Sequence, residues 1–230
     1  MAAIYLIRHG QASFNSDNYD QLSPTGMQQS EQLGIALKQR GIQFDAAYMG
    51  TMRRHHQTAE GCLGAMDCSL QPDIIPNLNE YDHDDVLHRY RPEFADRNNV
   101  TAFLQSEPQP RKAFQRVFQE AVHRWRSGHH DSDYNETWTA FQARCIDALN
   151  QIRNQTTGKS IAVFSSGGPI SAAVGHCLEL TDTHIAELSW SLLNCSVSGL
   201  LFNQDKMTLR FFNDYSHFEN ADDTSLLTFR

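Results

Sequence analysis

Apolar positions along the chain come in two textures, unbroken runs and helical stripes, and the two alternate. Residues 3–7 (AIYLI) and 161–164 (IAVF) are continuous apolar runs, the pattern of strands buried on both faces. Residues 44–50 (FDAAYMG) read as a further strand and 71–78 (QPDIIPNL) as an extended segment. Between them lie helical stretches. In LSPTGMQQSEQLGIALKQRG, Ser23 is the expected N-cap, Pro24 suits the first turn, Leu33, Ala36 and Leu37 share a face, and Gly41 can end the helix. TMRRHHQTAEGCLGAM (51–66) predicts a second helix with Thr51 near its start. A third, in ETWTAFQARCIDALNQIR, sets Trp138, Phe141, Cys145, Leu149 and Ile152 on one stripe. Residues 159–180 repeat the strand, glycine turn, helix plan, and alternation on either side of NQDK (203–206) predicts a hairpin.

Strands interleaved with helices imply an α/β protein, a three-layer α/β/α sandwich with a mainly parallel central sheet. Between about Asp82 and Asn135 the texture changes to Arg, Gln, His and Pro, with one expected helix in RKAFQRVFQEAVHRWRSG. We read residues 1–230 as a single domain with a helical insertion at about 82–135 that caps one end of the sheet.

Charge narrows the partners. A formal net charge of −8 disfavours a nucleic-acid or anionic-membrane binder, so an anionic substrate has to be drawn by a local group of cations. The five cysteines are odd in number and lack CxxC spacing, which argues against a disulfide framework or a zinc site and for reduced, mostly buried thiols. No apolar run approaches the roughly 20 residues of a membrane span, and the first residues do not read as a signal peptide. The expected location is the cytoplasm, with no metal and no cofactor.

In open parallel sheets, ligands bind at the carboxyl ends of strands. Three polar clusters sit at such ends: RHG after the first strand, MGTMRRHHQTAE after the second and SSGGP after the strand 161–164. Arg8, one of the pair Arg53 and Arg54, and the turn at Gly167 and Gly168 can together form an anion site, because guanidinium forks and helix-start N–H groups both suit phosphate oxygens. His9 would stand inside it, where a neutral imidazole nitrogen can attack phosphorus.

These segments resemble the histidine phosphatase superfamily, the phosphoglycerate mutase-like proteins of the phosphatase-type branch. LIRHGQASFN is similar to the family's RHGE…WN box, LSPTGMQQSEQLG to LTxxGxxQA, FDAAYMGTMRRHHQTAE to SSxLxRAxQTAE, LNEYD to LxE, and FFNDYSHFEN to NDxxHL. The resemblance spans nearly the whole chain outside the insertion. It implies a metal-independent phosphomonoesterase in which His9 forms a phosphohistidine and Glu80 is the general acid and base. Arg8, Asn15, Arg54, Ser166 and Gly167 would bind phosphate, and Arg54 is chosen over Arg53 by its place three residues before the glutamine of QTAE. Gln11, Asp82 as an alternative acid, and His217 are further candidates. The implied partner is a small phosphorylated substrate or a phosphoprotein.

One position departs from the pattern. Where the family carries a histidine in SHGG, this chain has Ser166, a shorter and always neutral donor. A catalytically weakened phosphate-binding relative is therefore the alternative reading. A phosphoglycerate mutase is a third, disfavoured because Tyr81 rather than an arginine follows Glu80 and because the arginines of the insertion are not adjacent.

Overall fold

The computed structural model describes residues 2–13, 20–203, 206–219 and 224–229. The chain divides into two compact units, Met1–Glu80 with Arg144–Arg230, and Tyr81–Ala143.

The first unit is built on a sheet of six strands: β1 (Ala2–Arg8), β2 (Ala46–Met49), β3 (Asp73–Ile74), β4 (Ser160–Ser165), β5 (Val197–Phe202) and β6 (Met207–Asp214). Their order is β3-β2-β4-β1-β5-β6. The first four are mutually parallel, while β5 runs antiparallel to β1 and β6 antiparallel to β5. The tail's alternation thus pairs as the hairpin it predicts. Two helices, α1 (Pro24–Gln39) and α2 (Arg53–Ala65), pack one face, and α6 (Trp138–Gln155) with α7 (Gly167–Leu178) packs the other.

The period-2 geometry of strands explains why residues 3–7 of β1 and 161–164 of β4 run without a charged residue. Ile4, Leu6, Ile161 and Val163 join Leu149 and Ile152 of α6 and Ile170 and Ala173 of α7. The alternate residues Ile7, Ala162 and Phe164 join Leu33 and Leu37 of α1 and Ala59, Cys62 and Leu63 of α2. These are the three expected layers. Helix α1 starts and stops as its sequence dictates: Ser23 Oγ accepts from the Gly26 N–H at 3.1 Å, and Gly41 beyond the last turn has φ +69°. Thr51 does not cap α2, since its backbone N–H and its hydroxyl both bond Asn79. The α2 start is served by the Asp20 carboxylate, which accepts from the Arg53 N–H at 2.8 Å.

Where the sequence predicts one helix in the middle of the chain, the structure has three, α3 (His83–Tyr90), α4 (Arg97–Ser106) and α5 (Pro110–Arg126), and a further helix α8 (Asp182–Ser191) follows α7. The second unit has its own core of rings. Trp125 is enclosed by Tyr81, Tyr134, Trp138 and Phe141, and its indole N–H donates to the Glu136 carbonyl at 2.7 Å. Among the described residues no helix is long and apolar enough to cross a membrane, and the five cysteines are free thiols, three of them buried.

Candidate active site

The parallel strands β1, β4 and β2 are neighbours, and their register brings Arg8 opposite Ser165 and Met49 opposite Phe164, so their carboxyl ends finish side by side. His9 is the first residue past β1. Its backbone N–H still bonds the Ser165 carbonyl at 2.9 Å, and its own carbonyl accepts from the Asn194 side chain and the Cys195 N–H. The His9 ring lies 2.7 Å through Nδ1 from the Gly10 carbonyl. A carbonyl can only accept, so Nδ1 carries the hydrogen and Nε2 of the neutral ring carries a lone pair. Burial first, then the charges of Arg54 and Arg8 and the ring of His55, holds the His9 imidazole well below its ordinary pKa. The ring is therefore neutral at physiological pH, with the Nε2 lone pair unprotonated.

Two guanidinium groups accompany it, both buried although the chain is acidic. Arg8 donates through Nη1 to the Leu192 carbonyl, and a side chain on Gly167 would lie 3.7 Å from Arg8 Nε, so the Arg8 guanidinium lies close to the first residue of α7. Arg54 donates to Asp20 Oδ1 at 2.8 Å, the carboxylate that also serves the α2 start. Arg53, its neighbour, is exposed. Helix α2 is pinned to the RHG turn through Thr58, whose hydroxyl accepts from the Gly10 N–H at 3.0 Å and donates to the Arg54 carbonyl at 2.7 Å. The start of α1 meets the same turn backbone to backbone: a Cβ on Gly10 would fall 2.5 Å from the Gly26 carbonyl oxygen.

Glu80 reaches the start of α7, where Oε2 accepts from the Gly168 N–H at 3.0 Å. The segment leading to it is held by Arg144 of α6, whose Nη1 donates to the carbonyls of Asn77 and Asn79 at 2.9 and 2.7 Å. Arg8, His9, Ser166, Gly167 and Glu80 are thus gathered around the β1 and β4 ends and the α7 start. Ser166 is fully buried, and its hydroxyl lies 2.7 Å from Nε2 of His55.

Among the described residues, the remaining candidates are engaged in bonds of their own. Gln11 is tied to α1, its side-chain oxygen accepting from Ser23 Oγ at 2.8 Å and its N–H bonding Gln29. Asp82 is exposed and caps α3, accepting from the N–H groups of Asp84 and Asp85. His217 donates through Nε2 to the Cys195 carbonyl at 3.1 Å, and burial lowers its pKa to about 4. Asn15 lies outside the described residues. The sequence pattern did not single out Thr58, Asp20, Arg144 or Asn194, which fix the site rather than line it. Thr58 alone had a local signal, as the threonine of QTAE. The other three act across loops or long separations.

The family model described as the histidine phosphatase superfamily (branch 1) matches residues 4–127 and 102–215. A 2,3-bisphosphoglycerate-dependent phosphoglycerate mutase from Porphyromonas gingivalis is 33% identical over 78 residues, 31% of this chain, and the match spans 32% of that protein's length. Among solved structures, a phosphoglycerate mutase from Bacillus anthracis aligns with TM-score 0.66 and 18% identity over 94% of each chain. A phosphoserine phosphatase from Entamoeba histolytica in complex with phosphoserine aligns with TM-score 0.64 and 18% identity over 95% of this chain and 100% of that one. The α-ribazole phosphatase from Shigella flexneri aligns with TM-score 0.61 and 22% identity, over 92% and 96%. At these identities the structural likeness speaks for the fold.

Proposed function

The chain belongs to the histidine phosphatase superfamily, and from that premise we propose that it is a phosphomonoesterase working through a phosphohistidine on His9. The observation that carries the reading is the Nδ1 bond to the Gly10 carbonyl, which leaves the Nε2 lone pair on a neutral ring beside two buried guanidinium groups. Nε2 attacks phosphorus and the P–O ester bond breaks, with Glu80 giving a proton to the departing oxygen. Water then attacks phosphorus, giving its proton to Glu80, the P–N bond breaks, and inorganic phosphate leaves with His9 neutral again. Arg8 and Arg54 spread the phosphoryl charge, and the Gly167 N–H at the α7 start adds a donor, so the charge a metal ion supplies in other phosphatases falls to the protein itself. The substrate is a small phosphate ester, as is the phosphoserine bound by the Entamoeba histolytica relative, and the free thiols suit a reducing cytoplasm.

The Porphyromonas gingivalis relative raises the mutase reading. A mutase must hold a substrate carboxylate with further cations, and in this chain Arg89 pairs with Asp85 while Arg91 pairs with Glu93. Both are engaged, which favours transfer to water. Wild-type protein should release phosphate from p-nitrophenyl phosphate and phosphoserine and form an acid-labile phosphoryl adduct, and His9→Ala should lose both. Turnover that survives His9→Ala refutes the assignment, and conversion of 3-phosphoglycerate in a coupled assay would establish the mutase instead.

A further inference from the structure

The missing histidine at 166 has a counterpart in space. His55, the third residue of α2, is fully buried, and its ring centroid lies 5.9 Å from that of His9 with the planes at 37°. Its Nε2 is 2.7 Å from Ser166 Oγ, across 111 positions of sequence. In the pattern SSxLxRAxQTAE the place after the arginine is alanine, so this chain has gained an imidazole at 55 and lost one at 166.

The direction of that hydrogen bond follows from the other side of the ring. His55 Nδ1 is buried with no hydrogen-bond partner among the described residues. It faces Gly50, where a Cβ would stand only 2.4 Å away, so the ring fits because residue 50 is glycine. An N–H there would be an orphaned donor, costing about 1–3 kcal/mol, since Asn79 Oδ1, which stands at the same 2.4 Å from that Cβ position, already accepts from the Thr51 N–H, whereas a lone pair faces the Gly50 α-carbon and its C–H groups. The ring is also kept neutral by burial, by Arg54 and by His56. One hydrogen is left to place, and it belongs on Nε2. The bond then runs from His55 Nε2–H to Ser166 Oγ. A serine hydroxyl that accepts in this way keeps its own hydrogen for another acceptor.

We infer that His55 is the positioning residue for Ser166: by donating to Oγ it turns the serine hydroxyl hydrogen toward the transferring phosphoryl oxygen. The pair does across two side chains what one longer donor does in SHGG. This rests on the hydrolase reading above. It also distinguishes two kinds of imidazole in the site, His9 which attacks and His55 which aims a donor without touching the substrate.

The test is p-nitrophenyl phosphate hydrolysis by the full chain, comparing wild type, His9→Ala, His55→Ala, His55→Gln, Ser166→His and the double variant His55→Ala with Ser166→His, each checked for folding by circular dichroism. His55→Ala should lower kcat by about 10- to 100-fold, less than or equal to the loss of a direct donor, with KM within roughly threefold. His55→Gln, whose amide N–H can reach the same oxygen, should recover part of the loss. The double variant should turn over at least tenfold faster than His55→Ala, because it moves the imidazole to 166 and vacates its space; should His55→Ala not fold, Ser166→His alone is the comparator. A folded His55→Ala with wild-type kcat, or a double variant no faster than its comparator, overturns the inference. Turnover that survives His9→Ala would instead refute the phosphohistidine reading on which the inference rests, so the two failures are told apart.

Discussion

Gly10→Ala tests whether His9 is held by the backbone of its neighbours. The added Cβ would fall 2.5 Å from the Gly26 carbonyl oxygen and 3.0 Å from two further Gly26 backbone atoms. That is roughly 1 Å inside the separation at which such atoms rest, and no rotamer can relieve it because both sides are main chain. Gly10 is not in the left-handed region, so the contact is the whole effect. Overpacking of this kind costs about 1–3 kcal/mol, and a backbone partner places it near the upper end. For a chain of this length, about 3 kcal/mol lowers Tm by roughly 6–12 °C. The Gly10 carbonyl also fixes the His9 ring, and a misplacement of about 1 Å lowers kcat on the order of 100-fold. Scanning calorimetry and p-nitrophenyl phosphate kinetics read the two effects. Gly64→Ala is the control: on helix α2, its Cβ meets nothing within 4 Å among the described residues, and it should raise stability by about 0.5–1 kcal/mol through helix propensity. A Gly10→Ala protein that melts within a degree of wild type and keeps its kcat would refute the reasoning.

Two further outcomes are expected. Arg144→Met removes the donors that hold the Asn77 and Asn79 carbonyls and should lower stability by about 1–3 kcal/mol; because that segment carries Glu80, kcat should fall more than KM rises, and steady-state kinetics beside a melting curve checks both. His217 has a pKa of about 4 in the folded chain against 6.5 for the free side chain, so between these values the unfolded state takes up a proton that the folded state refuses. Its contribution is complete above pH 6.5 and is lost as pH falls toward 4, by at most about 1.4 kcal/mol per pH unit. In His217→Gln, which keeps a donor for the Cys195 carbonyl, urea midpoints at pH 7, 6 and 5 should fall less steeply than in wild type. Parallel slopes would refute the assignment.

What the sequence disclosed and what it withheld divide along range. Ser23, Pro24 and Gly41 mark the ends of α1 because capping is settled within a few residues, and β1 and β4 announce themselves because a strand covered on both faces has no polar position to offer. The residues alone left Arg53 and Arg54 open, and only the resemblance to SSxLxRAxQTAE chose Arg54; in the structure Arg54 is buried and Arg53 exposed. Helices α3, α4 and α8 passed unread: each is 10 residues or fewer with mixed surfaces, so no long stripe repeats. His55 was the hardest to read. Its local sequence is that of any polar helix start, and its partner Ser166 is supplied by a different strand end. A buried polar pair of this sort is defined only once the sheet has set β2 beside β4.

The position of β1 has a consequence for how the chain is made. The strand that leads to His9 leaves the ribosome well before either of its two sheet neighbours, residues 160–165 and 197–202. Until those have been synthesised, a strand that is apolar from Ala2 to Ile7 carries two unpaired edges, the condition under which nascent chains associate with one another. Its contacts are long in sequence, so pairing is slow even when the partners exist. The strand that ends in Arg8 and leads to His9 is therefore in need of shelter during synthesis, and conditions that slow elongation should cost this protein its soluble yield before they cost it any activity per folded molecule.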